Sequence, residues 1–167
     1  MARVLIVGCG CRGRELAQQL VADGHAARGT TRRPEALSAI ESTGAQAALA
    51  DPDRLSTLLP LIEGVSVICW LMGMAVDEPE VIAAIHGPRL ESLLGRLVDS
   101  PVRGFVYEAA GWVPRRRLEH GASIVRKAAA TYHMPVAVVE ADPADPDRWL
   151  AAMCAAVDRV LGPTARR

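Results

Sequence analysis

Gly8-Cys9-Gly10-Cys11-Arg12-Gly13 has the spacing G-x-G-x-x-G. Alone the pattern is weak, because glycine is common. Here it follows the apolar run Val4–Val7 directly and opens an amphipathic segment, the setting in which such a turn receives a pyrophosphate. The three positions have different work. Gly8 permits the tight turn, Gly10 lets backbone approach a phosphate, and Gly13 allows a helix to pack closely on its strand. The helix N-terminus, with Cys11 and Arg12 beside it as candidate cofactor contacts, offers free N–H groups and a partial positive charge. The competing reading is three glycines that merely make a turn.

The residues one strand further on narrow the ligand. A dinucleotide site that takes NAD or FAD prefers an Asp or Glu at the end of strand two, to bind the ribose hydroxyls. This sequence has Thr30-Thr31-Arg32-Arg33 there. Guanidinium groups pair bidentately with phosphate, so Arg32 and Arg33, with Arg12 as a third charge, favour the 2′-phosphate of NADP over NAD. The plainer alternative is a pair of surface charges ahead of a proline-started helix. A methyltransferase would prefer an acidic residue beside the glycines, where Val7 stands.

Other side chains are weaker candidates. Glu108, Glu140 and Asp142 fall at the expected ends of strands five and six, where a carboxyl in a partly apolar pocket exchanges protons. Trp70, Trp112, Met72 and Met74 would wall a nicotinamide or substrate pocket, against the commoner role of core packing. His86, His120 and His133 show no pairing with Ser or Cys that signals a nucleophile, and His25 reads as an exposed turn residue. Cys9 and Cys11 lack a second ligand pair, so neither a disulfide framework nor a metal site is expected. Arg115-Arg116-Arg117 reads as a solvated helix face rather than a phosphate site.

The elements that must position these residues follow from periodicity. Apolar runs at Val4–Val7, Ala26–Thr31, Ala45–Leu49, Val65–Trp70, Val102–Tyr107 and Pro135–Glu140 read as strands. Helices are expected over Arg12–Asp23, from Pro34 through Leu37 and Ile40, over Asp53–Leu59, Pro88–Val98 and Arg116–Tyr132. A last helix is capped by Asp145 and ended by Gly162-Pro163. Asp77 with Glu80 looks like a capping box for a short helix that breaks at Gly87-Pro88, and Asp77–His86 could act as a lid. Six strands alternating with helices predict an α/β fold: a doubly wound parallel six-stranded sheet of order 3-2-1-4-5-6. Ligands bind such sheets where strands one and four diverge, which directs attention to Gly8–Gly13, Thr31–Arg33, Leu71–Met74 and Glu108–Trp112.

Length and charge set the remaining bounds. The 167 residues suit one Rossmann domain without a separate substrate domain. A formal net charge of zero attracts neither nucleic acid nor an anionic membrane. No run is long and apolar enough to span a bilayer, and the N-terminus lacks a signal-like apolar stretch, so a cytoplasmic address is expected.

With these motifs in place, the sequence resembles the atypical short-chain dehydrogenase/reductase proteins, NAD(P)-binding relatives of the sugar-nucleotide epimerases. The likeness is carried by Val4–Gly13, Gly24-His25 and Gly29–Arg33, and it extends to about Gly111. It implies that Leu49-Ala50-Asp51 occupies the family's step beside the adenine, and that Leu71, Met72 and Gly73 form the loop after strand four. The departures bear on activity. The family's Tyr-x-x-x-Lys pair is absent: Tyr107 precedes Gly111 by four and Tyr132 precedes Val136, while Lys127, the only lysine, has Ser123 at the tyrosine position. Glu108–Gly111 replaces the usual serines and threonines, and the epimerases' C-terminal substrate-binding extension is not seen. Three readings follow: a small NADP-dependent oxidoreductase of unknown substrate, a non-catalytic NADP(H) sensor with a protein partner, and a structural subunit with an unused turn. The first leads. A homodimer that completes the pocket is compatible with each.

Overall fold

Strand β1 (Arg3–Val7) is apolar and buried from Val4 onward because both its faces are covered. Alternate residues go to opposite sides of the sheet. Leu5 and Val7 enter one buried cluster, and Val4 and Ile6 enter the other. The computed structural model describes residues 1–163; the last four residues of the expected domain lie outside the described ones.

From β1 the chain continues through α1 (Cys11–Ala22), β2 (Ala26–Thr31), a 3-10 turn at Pro34–Ala36 and α2 (Leu37–Glu41). Then come β3 (Gln46–Leu49), α3 (Leu55–Leu58) with a 3-10 extension over Leu59–Ile62, and β4 (Val67–Trp70). The second half runs α4 (Pro79–Ile85), α5 (Pro88–Arg96), β5 (Gly104–Glu108), α6 (Arg115–Tyr132), β6 (Val136–Val139) and α7 (Pro146–Leu161). All six strands are parallel, in the order β3-β2-β1-β4-β5-β6. The sheet and its order are those expected. Helices α1, α2 and α7 cover one face, while α3 to α6 cover the other.

Helix α7 shows how local signals set an element. Asp145 accepts the Arg148 N–H at 3.4 Å, Pro146 takes the first position, and Gly162 leaves the helix at φ 74°. Its stripe of Trp149, Met153, Val157 and Val160 is buried against β4, β5 and β6, and each such side chain contributes roughly 1.5–3 kcal/mol of burial. Leu150, Cys154 and Leu161 flank that stripe and are only half-buried.

The capping box expected from Asp77 and Glu80 is not formed. Helix α4 begins at Pro79 after Glu78, without a side-chain cap. Asp77 is engaged elsewhere, because Arg32 lies within reach of its carboxylate. Proline already fixes the first helical position, so the helix starts without the box. The second helix is similarly shortened, opening as a 3-10 turn at Pro34 with Ile40 buried and Leu37 half-buried.

Candidate functional site

The glycine turn sits at the C-terminal end of β1, flanked by β2 and β4. Gly8 has φ +85°, and a Cβ there would lie 2.5 Å from the Leu71 carbonyl oxygen and 2.8 Å from Met72 Sδ. Only glycine suits both the conformation and the space. At Gly13 a Cβ would come within 3.1 Å of the Gly8 carbonyl and 3.4 Å of Ile6, so helix and strand are already in contact. Gly10 differs from both: a Cβ there would meet nothing within 4 Å. The space beside it is open.

Helix α1 makes its first bond from the Arg14 N–H to the Gly10 carbonyl, at 2.8 Å. The N–H groups of Cys11, Arg12 and Gly13 therefore precede the intrahelical ladder, beside open Gly10. Together they form a backbone cradle suited to an anion.

The neighbouring segments converge on this turn. Cys9 N–H donates to the Thr30 carbonyl at 2.9 Å, and Gly8 N–H to Thr30 Oγ1 at 3.3 Å. Thr30 is buried, so it acts as the pin between strand and turn, a role sequence reasoning gave to no residue. Leu71 N–H donates to the Val7 carbonyl at 2.9 Å, which lays Leu71 and Met72 against Gly8, with Gly73 following them. Thr31, Arg32 and Arg33 leave β2 on the other side. Ala50 N–H bonds the Thr31 carbonyl at 3.0 Å, bringing Asp51 beside them, where its Oδ1 accepts the Asp53 N–H at 2.9 Å.

The three expected arginines are not together. Arg12 turns toward the far edge, its Nε donating to the Pro143 carbonyl at 2.9 Å and its Nη1 to Glu15 at 2.5 Å. It braces the loop after β6 rather than joining Arg32 and Arg33. Arg32 donates to Asp77 Oδ2 at 2.6 Å, and this contact holds the Asp77 carboxyl below the usual carboxylate range.

Glu108 does not face the cleft as expected. It is buried, accepting the Gly73 N–H on one oxygen and the Trp149 Nε1–H on the other, both at 2.8 Å. Burial pushes its carboxyl up to about 7, opposed by those two donors. Both oxygens are committed, so Glu108 ties the loop after β4 to α7. Trp70 and Met72 are likewise core residues; Trp112 is 73% exposed.

Tyr107 and His86 form a second buried polar link. A carbonyl only accepts, so His86 Nε2–H donates to the Met72 carbonyl at 2.9 Å, leaving Nδ1 to accept the Tyr107 O–H at 2.6 Å. Burial pushes the imidazole down to about 4 and the Tyr107 hydroxyl up. His86 and Glu108 thus hold successive residues of one loop, Met72 and Gly73. Nothing in the sequence signalled this, since the partners lie on different elements. Ser123 and Lys127 line a groove with Glu91 on α5, well separated in sequence from the strand ends. His25 is half-buried and accepts the Ala2 N–H at 3.2 Å, so it ties down the N-terminus.

A cavity of about 510 Å³ opens at the ends of β5 and β6. Its floor is apolar, formed by Ala110, Val113, Leu118 and Ala122, and its rim carries Arg126, Glu140 and Asp142. Glu140 and Asp142 are therefore at the cleft, as expected.

No family model matches the sequence, and no curated protein matches it. Solved structures do. One is a short-chain dehydrogenase/reductase superfamily protein from Agrobacterium tumefaciens with bound NAD: 19% identical, TM-score 0.66, covering 81% of this chain and 48% of that one. BdcA (YjgI) from E. coli is 16% identical, with TM-score 0.74 over 92% of this chain and 88% of that one. Serine dehydrogenase from Escherichia coli is 14% identical, with TM-score 0.72 over 91% and 89%. The chain spans about half the length of several other matching structures, among them UDP-glucuronic acid 4-epimerase from Bacillus cereus. At these identities the likeness is one of fold, and the fold of this chain is that of the short-chain dehydrogenase/reductase and NAD-dependent epimerase/dehydratase proteins.

Proposed function

We propose that this chain binds NADP(H) at the glycine turn and works as a small NAD(P)-dependent oxidoreductase. The observation that carries the reading is the open face of Gly10 beside the three free N–H groups of α1. Those groups and Gly8–Gly13 would hold the pyrophosphate, Leu71–Gly73 would border it, and Asp51 would stand beside the adenine. Arg32 and Arg33, following β2 where a ribose-binding carboxylate is otherwise expected, support NADP over NAD. When bound, the nicotinamide supplies hydride, the hard part of the chemistry. The chain's own residues position a substrate in the cavity at the ends of β5 and β6, where Arg126, Glu140 and Asp142 supply polar contacts.

The described residues would act as one dinucleotide-binding unit in the cytoplasm, with a second copy able to complete the cavity. No described helix is long and apolar enough to cross a membrane. A second reading, a sensor that binds without turnover, is favoured by the commitment of Tyr107 and Glu108 to structural bonds.

Calorimetric titration with NADPH, NADP, NADH and NAD tests the site. Preference for the phosphorylated forms that collapses in Arg32→Ala/Arg33→Ala is expected. No binding by any of the four rules the reading out. Turnover of NADPH on a carbonyl or quinone panel separates the oxidoreductase from the sensor.

A further inference from the structure

The Arg32–Asp77 ion pair has an unusual position. Arg32 follows β2, Asp77 lies in the loop after β4, and β1 runs between those two strands. With neighbouring strands ~4.8 Å apart, the pair bridges roughly 10 Å across the end of β1. It therefore spans the C-terminal end of β1, from which the glycine turn leads off. The contact is short, 2.6 Å, and the second Asp77 oxygen accepts the Glu78 N–H at 2.8 Å. Both oxygens of Asp77 are thus oriented, while the Arg32 side chain stays 49% exposed and open to exchange.

We propose that Asp77 is a specificity determinant that competes with a cofactor's 2′-phosphate for Arg32. This rests on the dinucleotide reading given above. A phosphate carries more charge than a carboxylate and presents oxygens that a guanidinium grips in bidentate fashion. A ribose hydroxyl has no charge with which to displace Asp77. NADPH accordingly takes Arg32 from Asp77, and NADH leaves the ion pair in place. Asp77 lowers the affinity for NADPH without altering that for NADH, and so sets how strongly the site discriminates.

The test is calorimetric titration of NADPH and NADH into the wild type, Asp77→Asn, Arg32→Ala and the double variant. Asparagine keeps an acceptor for the Glu78 N–H, and Asp77→Ser provides a second, smaller replacement. Exposed ion pairs are weak, so Asp77→Asn should tighten NADPH about five-fold and leave NADH within two-fold. In the Arg32→Ala background the same change should do nothing. Equal tightening of both cofactors, an unchanged NADPH affinity, or an effect that persists without Arg32 would each overturn the competition. If neither cofactor binds any variant, the dinucleotide reading falls and this inference with it. If NADPH binds and the ratio is unmoved, only this inference falls.

Discussion

Replacing Gly10 by alanine separates the function of the turn from its folding. The backbone at Gly10 has φ −83° and ψ −153°, an extended conformation that alanine adopts, and the new Cβ meets no protein atom within 4 Å. Alanine is a poorer N-cap than glycine by about 0.5–1 kcal/mol, while the stiffer unfolded chain returns about 0.4–1 kcal/mol. The net change in stability is close to zero, under about 1 kcal/mol, or ~2–4 °C in Tm for a chain this long. The same methyl group stands where a pyrophosphate would approach the Cys11–Gly13 N–H groups. A hydrogen bond to a charged group is worth about 1.5–3 kcal/mol, so losing one weakens NADPH binding by roughly ten- to a hundred-fold.

Gly8→Ala is the control. There the φ of +85° and the 2.5 Å approach to the Leu71 carbonyl oppose the methyl within the folded chain itself. The left-handed conformation alone costs about 1–2 kcal/mol, and the backbone clash adds to it. Thermal unfolding and NADPH titration on both variants are the assays. Gly10→Ala should melt with the wild type and lose the cofactor, whereas Gly8→Ala should melt early. A Gly10→Ala protein that binds NADPH as the wild type does would refute the cradle. One that melts as early as Gly8→Ala would refute the open geometry on which the argument depends.

Three further outcomes test the buried links. Glu108 has a folded-state pKa of about 7, above the ordinary 4.5, so the stability it confers is complete below pH 4.5 and is lost as pH rises through 7; urea midpoints of the wild type should fall between pH 5 and 8 relative to those of Glu108→Gln, and parallel profiles would contradict the assignment. Tyr107→Phe removes the donor to His86 Nδ1 and should cost about 1–3 kcal/mol in denaturant unfolding, while in a His86→Phe background the further loss should be smaller. Gly121→Ala would put a Cβ about 2.0 Å from the Tyr107 hydroxyl oxygen, forcing apart the Tyr107–His86 pair, and should destabilise by roughly 1–3 kcal/mol or more on thermal melting; a Tm matching the wild type would show that α6 is not seated as described.

Much of this protein was legible in order along the chain. The parallel sheet followed from uninterrupted apolar runs such as Val4–Val7 and Val67–Trp70, since strands covered on both faces carry no polar alternation. The tight turn at Gly8 and the close helix packing at Gly13 followed from spacing, because both are local. The α7 boundaries followed from Asp145, Pro146 and Gly162, each acting on its own backbone. The tertiary structure alone decided which side chains meet across elements. Arg12 reads as a phosphate charge until Pro143, 131 residues away, supplies its acceptor. Asp77 reads as a helix cap until the sheet order sets it opposite Arg32. Glu108 reads as a cleft acid until Trp149 and Gly73 close on it from α7 and the loop after β4. Sequence spacing determines contacts within a turn or a helix; for polar side chains separated by strands and crossovers, the partner is set by how the whole sheet packs.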